Sequence, residues 1–537
     1  MAAGRRDGDA GGAADERARS LLLAVRGLCV DRPDGSPLLA DVTLELRARE
    51  VVAVFGASGA GKSTLTTALH EPDSLRARGF AVRTAEVVRA SAVGIVPQRG
   101  ALFDHLSAAD NIALALRNAE PPAPAGGDAV REWFKKVDLP AAWSAPGHAV
   151  AHVSGGEAQR LAVARTLAGG RRVLLLDEPS VGLDPHRVSL LAATLRGQID
   201  GGEAAALVVT HDLGFAAAFA DRFLYMDPQA RGLVELAVTA GRGEATERAL
   251  AAAVRERLAS ERRVDAGAAR PGLAARLRGL AAEWAAPFVA GARVLAALPA
   301  ALRRPRDLVE VLRVTLMQAL VRPGPFFVIV SLLIGATLLY IFHRALGGGG
   351  LPVRPDRVFS LIGSMHVLAL APPLSAILFA ATSGSAITAW LGGMSLTRQT
   401  AALRGLGIAE ARYLWLPAWL GLALAYVMLA AVFTVGMIAG GVAYLKLRVP
   451  QAGDAWALVT ADLFDPTADR AVFRARAAVL VLIYAVGVAS DAVAKGGRDK
   501  PSAESVTAAM VRSVMACTLW VVAVELVSLV VVYGARG

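Results

Sequence analysis

Two short stretches of this chain carry residue types that could handle a phosphate ester. The first, EVVAVFGASGAGKST (Glu50–Thr64), sets an apolar run, Val51–Phe55, before a glycine-rich turn that opens a helix. Gly56, Gly61, Lys62 and Ser63 satisfy G-x-x-x-x-G-K-[ST]. In such a turn, backbone N–H groups wrap phosphate oxygens, the lysine neutralises charge on the outer phosphates and the hydroxyl can ligand Mg²⁺. The second, RRVLLLDEPSVGLDP (Arg171–Pro185), is an apolar strand ending in Asp177 and Glu178. One carboxylate there can hold Mg²⁺ while its neighbour polarises an attacking water. Each pattern alone has a plainer reading, a Gly-rich turn and a solvated strand end.

Further motifs lie in order along the chain. Gln98 closes VGIVPQ, Val153–Arg160 read VSGGEAQR, Asp184 follows Leu183, and His211 sits in LVVTHD. With the first two stretches they make the ordered set of the ATP-binding cassette family, which residues 20–240 resemble. The resemblance implies an α/β P-loop NTPase that binds ATP and Mg²⁺. It assigns ATP contacts to Gly56, Ala57, Ser58, Gly59, Ala60, Gly61, Lys62, Ser63 and Thr64, and places Ser63, Gln98 and Asp177 at the metal. Glu178 would be the general base, His211 the γ-phosphate switch, Gln98 the sensor facing a membrane domain and Asp184 the D-loop acid. Ser154, Gly155 and Gly156 would form a signature that closes over ATP held by a second cassette. The signature reads VSGGE where the family often has a leucine and a glutamine. CVDRPDG offers Arg32 where many cassettes place an adenine-stacking aromatic. One P-loop and one signature per chain imply a homodimer as the working unit.

The elements behind these motifs divide the chain. At 537 residues it exceeds one hydrophobic core. The hydrophobic fraction of 55% and mean hydropathy of +0.47 come from an apolar excess after residue 320, which points to membrane. The net charge of +11 is scattered through linkers and short loops, so it reads as arginine flanking membrane helices and not as a nucleic-acid surface. Cys29 and Cys517 are too far apart for a disulfide framework or metal site. Residues 1–19 read as a disordered leader without the apolar core of a secretory signal. Residues 241–303 have helical-linker composition, and 304–322 read as an amphipathic helix at a membrane surface, with Arg304, Arg306, Arg313 and Arg322.

Residues 323–537 are expected to form an all-α polytopic membrane domain. Apolar runs near 325–342, 358–392, 413–445, 473–490 and 513–534 give about five transmembrane helices, with six as the alternative. Pro372 and Pro373 predict a break in the second run. With the cassette inside, Arg398, Arg404, Arg412, Lys495, Arg498, Lys500 and Arg512 fall on the cytoplasmic side. Asp454, Asp462, Asp465 and Asp469 fall outside. Glu525, in VVAVELVSLVV, is either functional or a structural hydrogen-bonding partner.

The stretch Ala371–Pro417 resembles the signature region of the MlaE-type permeases, membrane subunits of transporters that move lipids with MCE-domain proteins. The likeness extends over roughly 300–537. It implies close helix packing at Gly384, Ser385 and Ala386. It also implies a cytoplasmic coupling segment, Ser395–Gly407, in which Arg398 and Arg404 meet the cassette. Where that family commonly has acids or an arginine this chain has Ala369, Thr382, Trp390, Arg398 and Ala401, so the family's polar network is largely absent. The expected protein is an ATP-driven half-transporter that pairs with a second copy of itself in the inner (cytoplasmic) membrane, ATPase in the cytoplasm. It would move phospholipid or another lipid with an MCE-type lipid-binding partner. The alternative is a non-transporting cassette machine that passes ATP-driven motion to envelope proteins.

Overall fold

The structure is a computed structural model. It describes residues 21–534 except 58, 90–91, 98–100, 120, 146, 182, 202–203, 239–242, 260–272, 348–364, 450–453, 461–462, 464–467 and 501. The leader 1–19, Ser58, Gln98, part of the linker, and Asp462 and Asp465 therefore lie outside the described residues. The chain resolves into two compact units. One comprises residues 1–271 with 397–408, the other 272–396 with 409–537.

In the first unit, β1 (Leu21–Asp31) and β2 (Pro37–Arg47) form an antiparallel pair, and β4 (Ala81–Arg83) and β5 (Glu86–Arg89) add to the other edge of β1. The second sheet runs β10-β9-β3-β8-β7-β6. Its strands are β3 (Val51–Phe55), β6 (Val93–Val96), β7 (Val173–Asp177), β8 (Ala205–Val209), β9 (Arg222–Asp227) and β10 (Gly232–Glu235). All pairings are parallel except that of β10 with β9. VVAVF, VLLLD and AALVV are apolar almost throughout because central parallel strands are covered on both faces. Leu23, Val25, Leu39 and Leu44 of one sheet pack in one core with Val52, Val54, Leu175 and Leu207 of the other.

Helices α1 (Lys62–His70), α2 (Ala108–Arg117), α3 (Gly155–Ala168), α4 (Pro185–Asp200) and α5 (Leu213–Phe219) complete the frame of the site. The departure at Glu157 has a local use: its Oε2 accepts from Ser154 N–H at 2.9 Å and Ser154 Oγ–H at 2.5 Å, closing the N-terminus of α3 with an S-x-x-E box.

The second unit is helical: α6 (Leu273–Ala296), α7 (Pro305–Leu316), α8 (Gly324–Gly347), α9 (Met365–Phe379), α10 (Ser385–Leu396), α11 (Leu416–Arg448), α12 (Ala468–Gly496) and α13 (Ala503–Gly534). Among the described residues five helical stretches are long and apolar enough to cross a membrane: Pro305–Ala345, Val367–Leu396, Ala411–Arg448, Ala471–Gly496 and Ala503–Val531. The amphipathic segment expected over 304–322 is helical over Pro305–Leu316 and, with a π turn at Met317–Val321, forms the beginning of the first of these stretches.

Pro372 and Pro373 do not break their helix, contrary to expectation; both lie inside α9. Within this stretch Ser375 Oγ and Tyr426 Oη both donate to Pro372 O, at 2.9 and 3.0 Å. The irregularity comes about two turns later, as a π turn at Ala380–Gly384. Gly384 does sit against Val488, as close packing requires, but Ser385 is half-buried and Ala386 exposed. The closest approach is elsewhere, between α8 and α11. A Cβ on Gly335 or Gly440 would run into the other helix's backbone at Met437 or Leu332, and one on Gly436 would meet Ser331 Oγ.

Glu525 sits in a polar network. It pairs with Arg476, accepts from Tyr484 Oη–H at 2.9 Å, and Arg476 donates onward to Ser528 Oγ at 2.8 Å. A charge this deep is tolerated when paired and hydrogen-bonded on several sides.

Candidate functional site: a nucleotide cleft and the segment beside it

The strand order explains why residues far apart in sequence meet. In the row β3-β8-β7, the glycine turn follows β3, His211 follows β8, and Asp177 and Glu178 end β7, so all three groups emerge at the same carboxyl edge. Glu178 N–H donates to Val209 O at 2.8 Å and Thr210 N–H to Val54 O at 3.3 Å, tying the strand ends together. The result is a cleft of about 620 Å³ whose lining includes Gly59, Gly61, Lys62, Ser63, Thr64, Asp177, Glu178 and His211.

Gly56, Gly59 and Gly61 all have positive φ (149°, 86° and 104°), where side chains are disfavoured. A Cβ on Gly56 would stand 2.9 Å from Met226 O, and one on Gly61 2.8 Å from Leu39 Cδ2, whereas Gly59 faces open space. Such a cradle fits a phosphate chain, with Lys62 at its floor donating to Gly56 O (2.5 Å) and Ala57 O (2.9 Å). Ser63 and Asp177 supply hydroxyl and carboxylate oxygens, the donors Mg²⁺ prefers.

Electrostatics separate the two acids from ordinary surface carboxylates. Burial pushes Asp177 up, against the pull of the Arg398 and Lys62 cations. Burial also raises Glu178, opposed by His211, whose backbone N–H donates to Glu178 Oε2 at 3.2 Å and whose Nε2 lies 3.4 Å from Oε1. Glu178 is held at φ 51°, an uncommon backbone for a glutamate. A carboxylate raised by burial, close to a phosphate cradle and touching a histidine, is equipped to take a proton from water.

Ser154 and Gly155 are exposed and, with Gly156, stand outside the residues lining this cleft. Gly156 packs under Leu183. Asp184 caps α4, accepting from Arg187 N–H at 3.0 Å, which holds its carboxyl below the usual range. Arg32 lines the cleft, as do Leu38 and Phe80, which the sequence did not single out. Phe80 reaches it because Ala81 pairs with Asp31 in the register of β4 on β1. Only that long-range pairing brings an aromatic to Arg32, so no local pattern announces it.

The segment 397–408 belongs by its contacts to the first unit. Arg404 pairs with Glu71. Gln399 Nε2 donates to Asp104 Oδ2 at 2.8 Å, and His70 Nε2 lies 3.3 Å from Ala401 O. Burial pushes His70 down to about 4, so the ring is neutral near pH 7 and its Nε2–H donates to that carbonyl. Gly405 and Gly407 lie against Ile95 and Arg171. Arg398 opens the helix Gln399–Gly405 at φ 61°.

Residues 39–181 match the ABC transporter family and 313–531 match Permease MlaE. A lipoprotein-releasing system ATP-binding protein of Maricaulis maris is 35% identical over 201 residues, covering 36% of this chain and 86% of that protein. A glutamine transport ATP-binding protein of Geobacillus stearothermophilus is 31% identical over 200 residues, 35% of this chain and 81% of that protein. An Fe(3+) ions import ATP-binding protein of Pectobacterium atrosepticum is 38% identical over 213 residues; the chain spans 57% of its length. A solved dimeric cassette bound to ADP and phosphate aligns at 24% identity with TM-score 0.34, covering 42% of this chain and all of that one. The chain belongs to the ATP-binding cassette transporter family, with an ATPase and an MlaE-type permease on one polypeptide.

Proposed function

We propose that two copies of this chain use ATP to move a lipid through the permease units, with an MCE-domain protein as partner, in the inner (cytoplasmic) membrane with the cassette inside. A cassette joined to a permease is an ATP-driven membrane transporter. The finer reading rests on one observation above others, the match to Permease MlaE over 313–531 on the same polypeptide as the ATP-binding motifs.

In this reading the cradle at Gly56–Thr64 binds the phosphates and Lys62 leaves its carbonyl partners to meet their charge. Mg²⁺, held by Ser63 and Asp177, supplies charge neutralisation at the phosphates. Glu178 takes the proton from the attacking water and His211 keeps its carboxylate oriented. Ser154 and Gly155, exposed and not among the residues lining their own chain's cleft, are available to complete the partner copy's site, which supports the homodimer. The segment 397–408 carries motion to the membrane helices that flank it in the chain. Arg404 on Glu71 and Gln399 on Asp104 are its grip on the cassette.

The test uses the full chain in proteoliposomes with a headgroup-labelled phospholipid and a membrane-impermeant quencher. ATP should make labelled lipid change leaflet or leave the vesicle, and Glu178→Gln should stop it. Vigorous ATP hydrolysis with lipid movement no faster than in the Glu178→Gln protein would overturn lipid transport and favour the non-transporting machine.

A further inference from the structure

Besides the phosphate machinery, the described lining of the nucleotide cleft contains Arg32, Leu38, Phe80, Val181 and Val209. Strand register explains why two of them stand together. β1 pairs antiparallel with β4 at Cys29–Arg83, Val30–Val82 and Asp31–Ala81, so the next pair in that register is Arg32 with Phe80. A Cβ on Gly79 would lie 3.5 Å from Pro33, which keeps the two chains side by side one pair further. Side chains alternate along a strand, so Arg32 and Phe80 share the face on which Val30 and Val82 are buried. Leu38 joins this group to the glycine turn, since a Cβ on Gly61 would lie 3.6 Å from its Cγ.

Arg32 is fixed through one nitrogen. Its Nη1 donates to Ser36 Oγ at 3.2 Å and to Pro37 O at 3.5 Å, in a turn closed by Arg32 N–H on Ser36 O and Gly35 N–H on Arg32 O, both at 2.8 Å. Among the described residues, its Nε and Nη2 make no hydrogen bond. Phe80 is steadied by Arg78, whose guanidinium stands over the ring, 5.7 Å from its centre. Of the five residues only Arg32 has hydrogen-bonding atoms in its side chain, and all of them are donors. One edge of guanine offers two neighbouring acceptors, O6 and N7, which an arginine fork meets with two N–H groups. The same edge of adenine sets one acceptor beside a 6-amino donor, which would face the fork's second donor. A flat ring such as Phe80 grips either purine without reading it.

We infer that Arg32 makes this cleft a purine site that takes GTP at least as well as ATP. Phe80 stacks on the base, and Arg32 Nε and Nη2 meet O6 and N7 of guanine. A site rejects a base by leaving a polar group unpaired, and guanine leaves none of these five side chains so. Adenine leaves one Arg32 donor to water, a modest loss because the side chain is only half-buried, so ATP remains a substrate. The hydrolytic chemistry is the same for both, since the phosphates and the groups that handle them do not change. The inference rests on nucleotide hydrolysis at this cleft and not on what crosses the membrane.

The test is steady-state hydrolysis of ATP, GTP and UTP by the full chain in nanodiscs with Mg²⁺. kcat/KM for GTP should equal that for ATP or exceed it by up to about threefold. UTP, with its smaller ring, should fall about tenfold below both. Arg32→Leu should lower kcat/KM for GTP about fivefold and leave ATP within about twofold. Phe80→Ala should weaken both purine nucleotides alike. Ribose-labelled ATP and GTP titrated onto the Glu178→Gln protein should show the same order in Kd, which assigns the effect to binding and not to turnover. Should Arg32→Leu not fold, Arg32→Lys, which keeps the charge but not the fork, carries the same expectation. A preference for ATP over GTP of about threefold or more, UTP used as well as ATP, or equal loss of ATP and GTP in the Arg32 variant would overturn the inference. None of these readouts involves lipid, so failure here leaves the transport reading standing, and failure of transport leaves this one.

Discussion

Glu178 combines three separate facts: burial, an uncommon backbone and contact with His211 at both oxygens. Glu178→Gln removes a proton acceptor while leaving the phosphate cradle, so hydrolysis should fall at least 100-fold with fluorescent-nucleotide affinity within a few-fold of the original. Because burial raises this carboxyl, it takes up its proton at higher pH than the ordinary glutamate value of about 4.3. Hydrolysis should therefore be full above the raised value and decline as pH falls through it, while an exposed glutamate would still be ionised. A single-turnover pH profile whose acid limb lies at the ordinary value would contradict this. Phe80 makes the complementary case on the binding side. Phe80→Ala should weaken ATP binding about tenfold while leaving hydrolysis at saturation little changed, as read by KM against kcat. The glycine turn and the two acids that line the cleft were legible in the sequence because backbone geometry and local order fix them within a few positions. Phe80 was not, since it reaches the cleft through a strand register between residues 50 apart.

At the level of elements, the match between pattern and structure depends on what positions each piece. Central parallel strands announce themselves as short apolar runs, and two of the three that carry the site, VVAVF and VLLLD, were read that way. The proline pair misled because a helix break was read from the peptide alone, whereas the helix runs on through both residues in contact with a neighbour, Tyr426 of α11 donating to Pro372 O. Likewise, Gly335, Gly436 and Gly440 look like any glycines in an apolar run until α8 and α11 are placed in contact. Gly440→Leu should force those helices apart and destabilise the unit by at least 1–3 kcal/mol, measured by thermal unfolding in detergent; unchanged stability would mean the close packing is dispensable. For 397–408, Arg404→Glu should uncouple lipid movement from hydrolysis by setting like charges against Glu71, and Glu71→Arg in the same chain should restore it. Failure of the double variant to recover any coupling would remove this ion pair from the transmission route.

On the scale of the whole molecule, Ser154→Cys combined with Ser58→Cys, in a chain with both native cysteines changed to serine, should cross-link between two differently tagged copies when ATP is trapped. Cross-links found only within one copy would exclude the composite site. The segment 397–408 carries one more consequence, concerning time. The ribosome finishes the strands of the first unit long before it makes these residues, since the membrane stretches Pro305–Ala345 and Val367–Leu396 come between. At usual synthesis rates that interval is on the order of ten seconds or more. Throughout it, the surface that will receive Leu403, Leu406 and Ile408, all buried in the finished fold, stands uncovered. Completion of the ATPase is thereby made to wait for insertion of the membrane helices, so a copy whose insertion fails is left with an unfinished, sticky cassette that quality control can recognise before it ever consumes nucleotide.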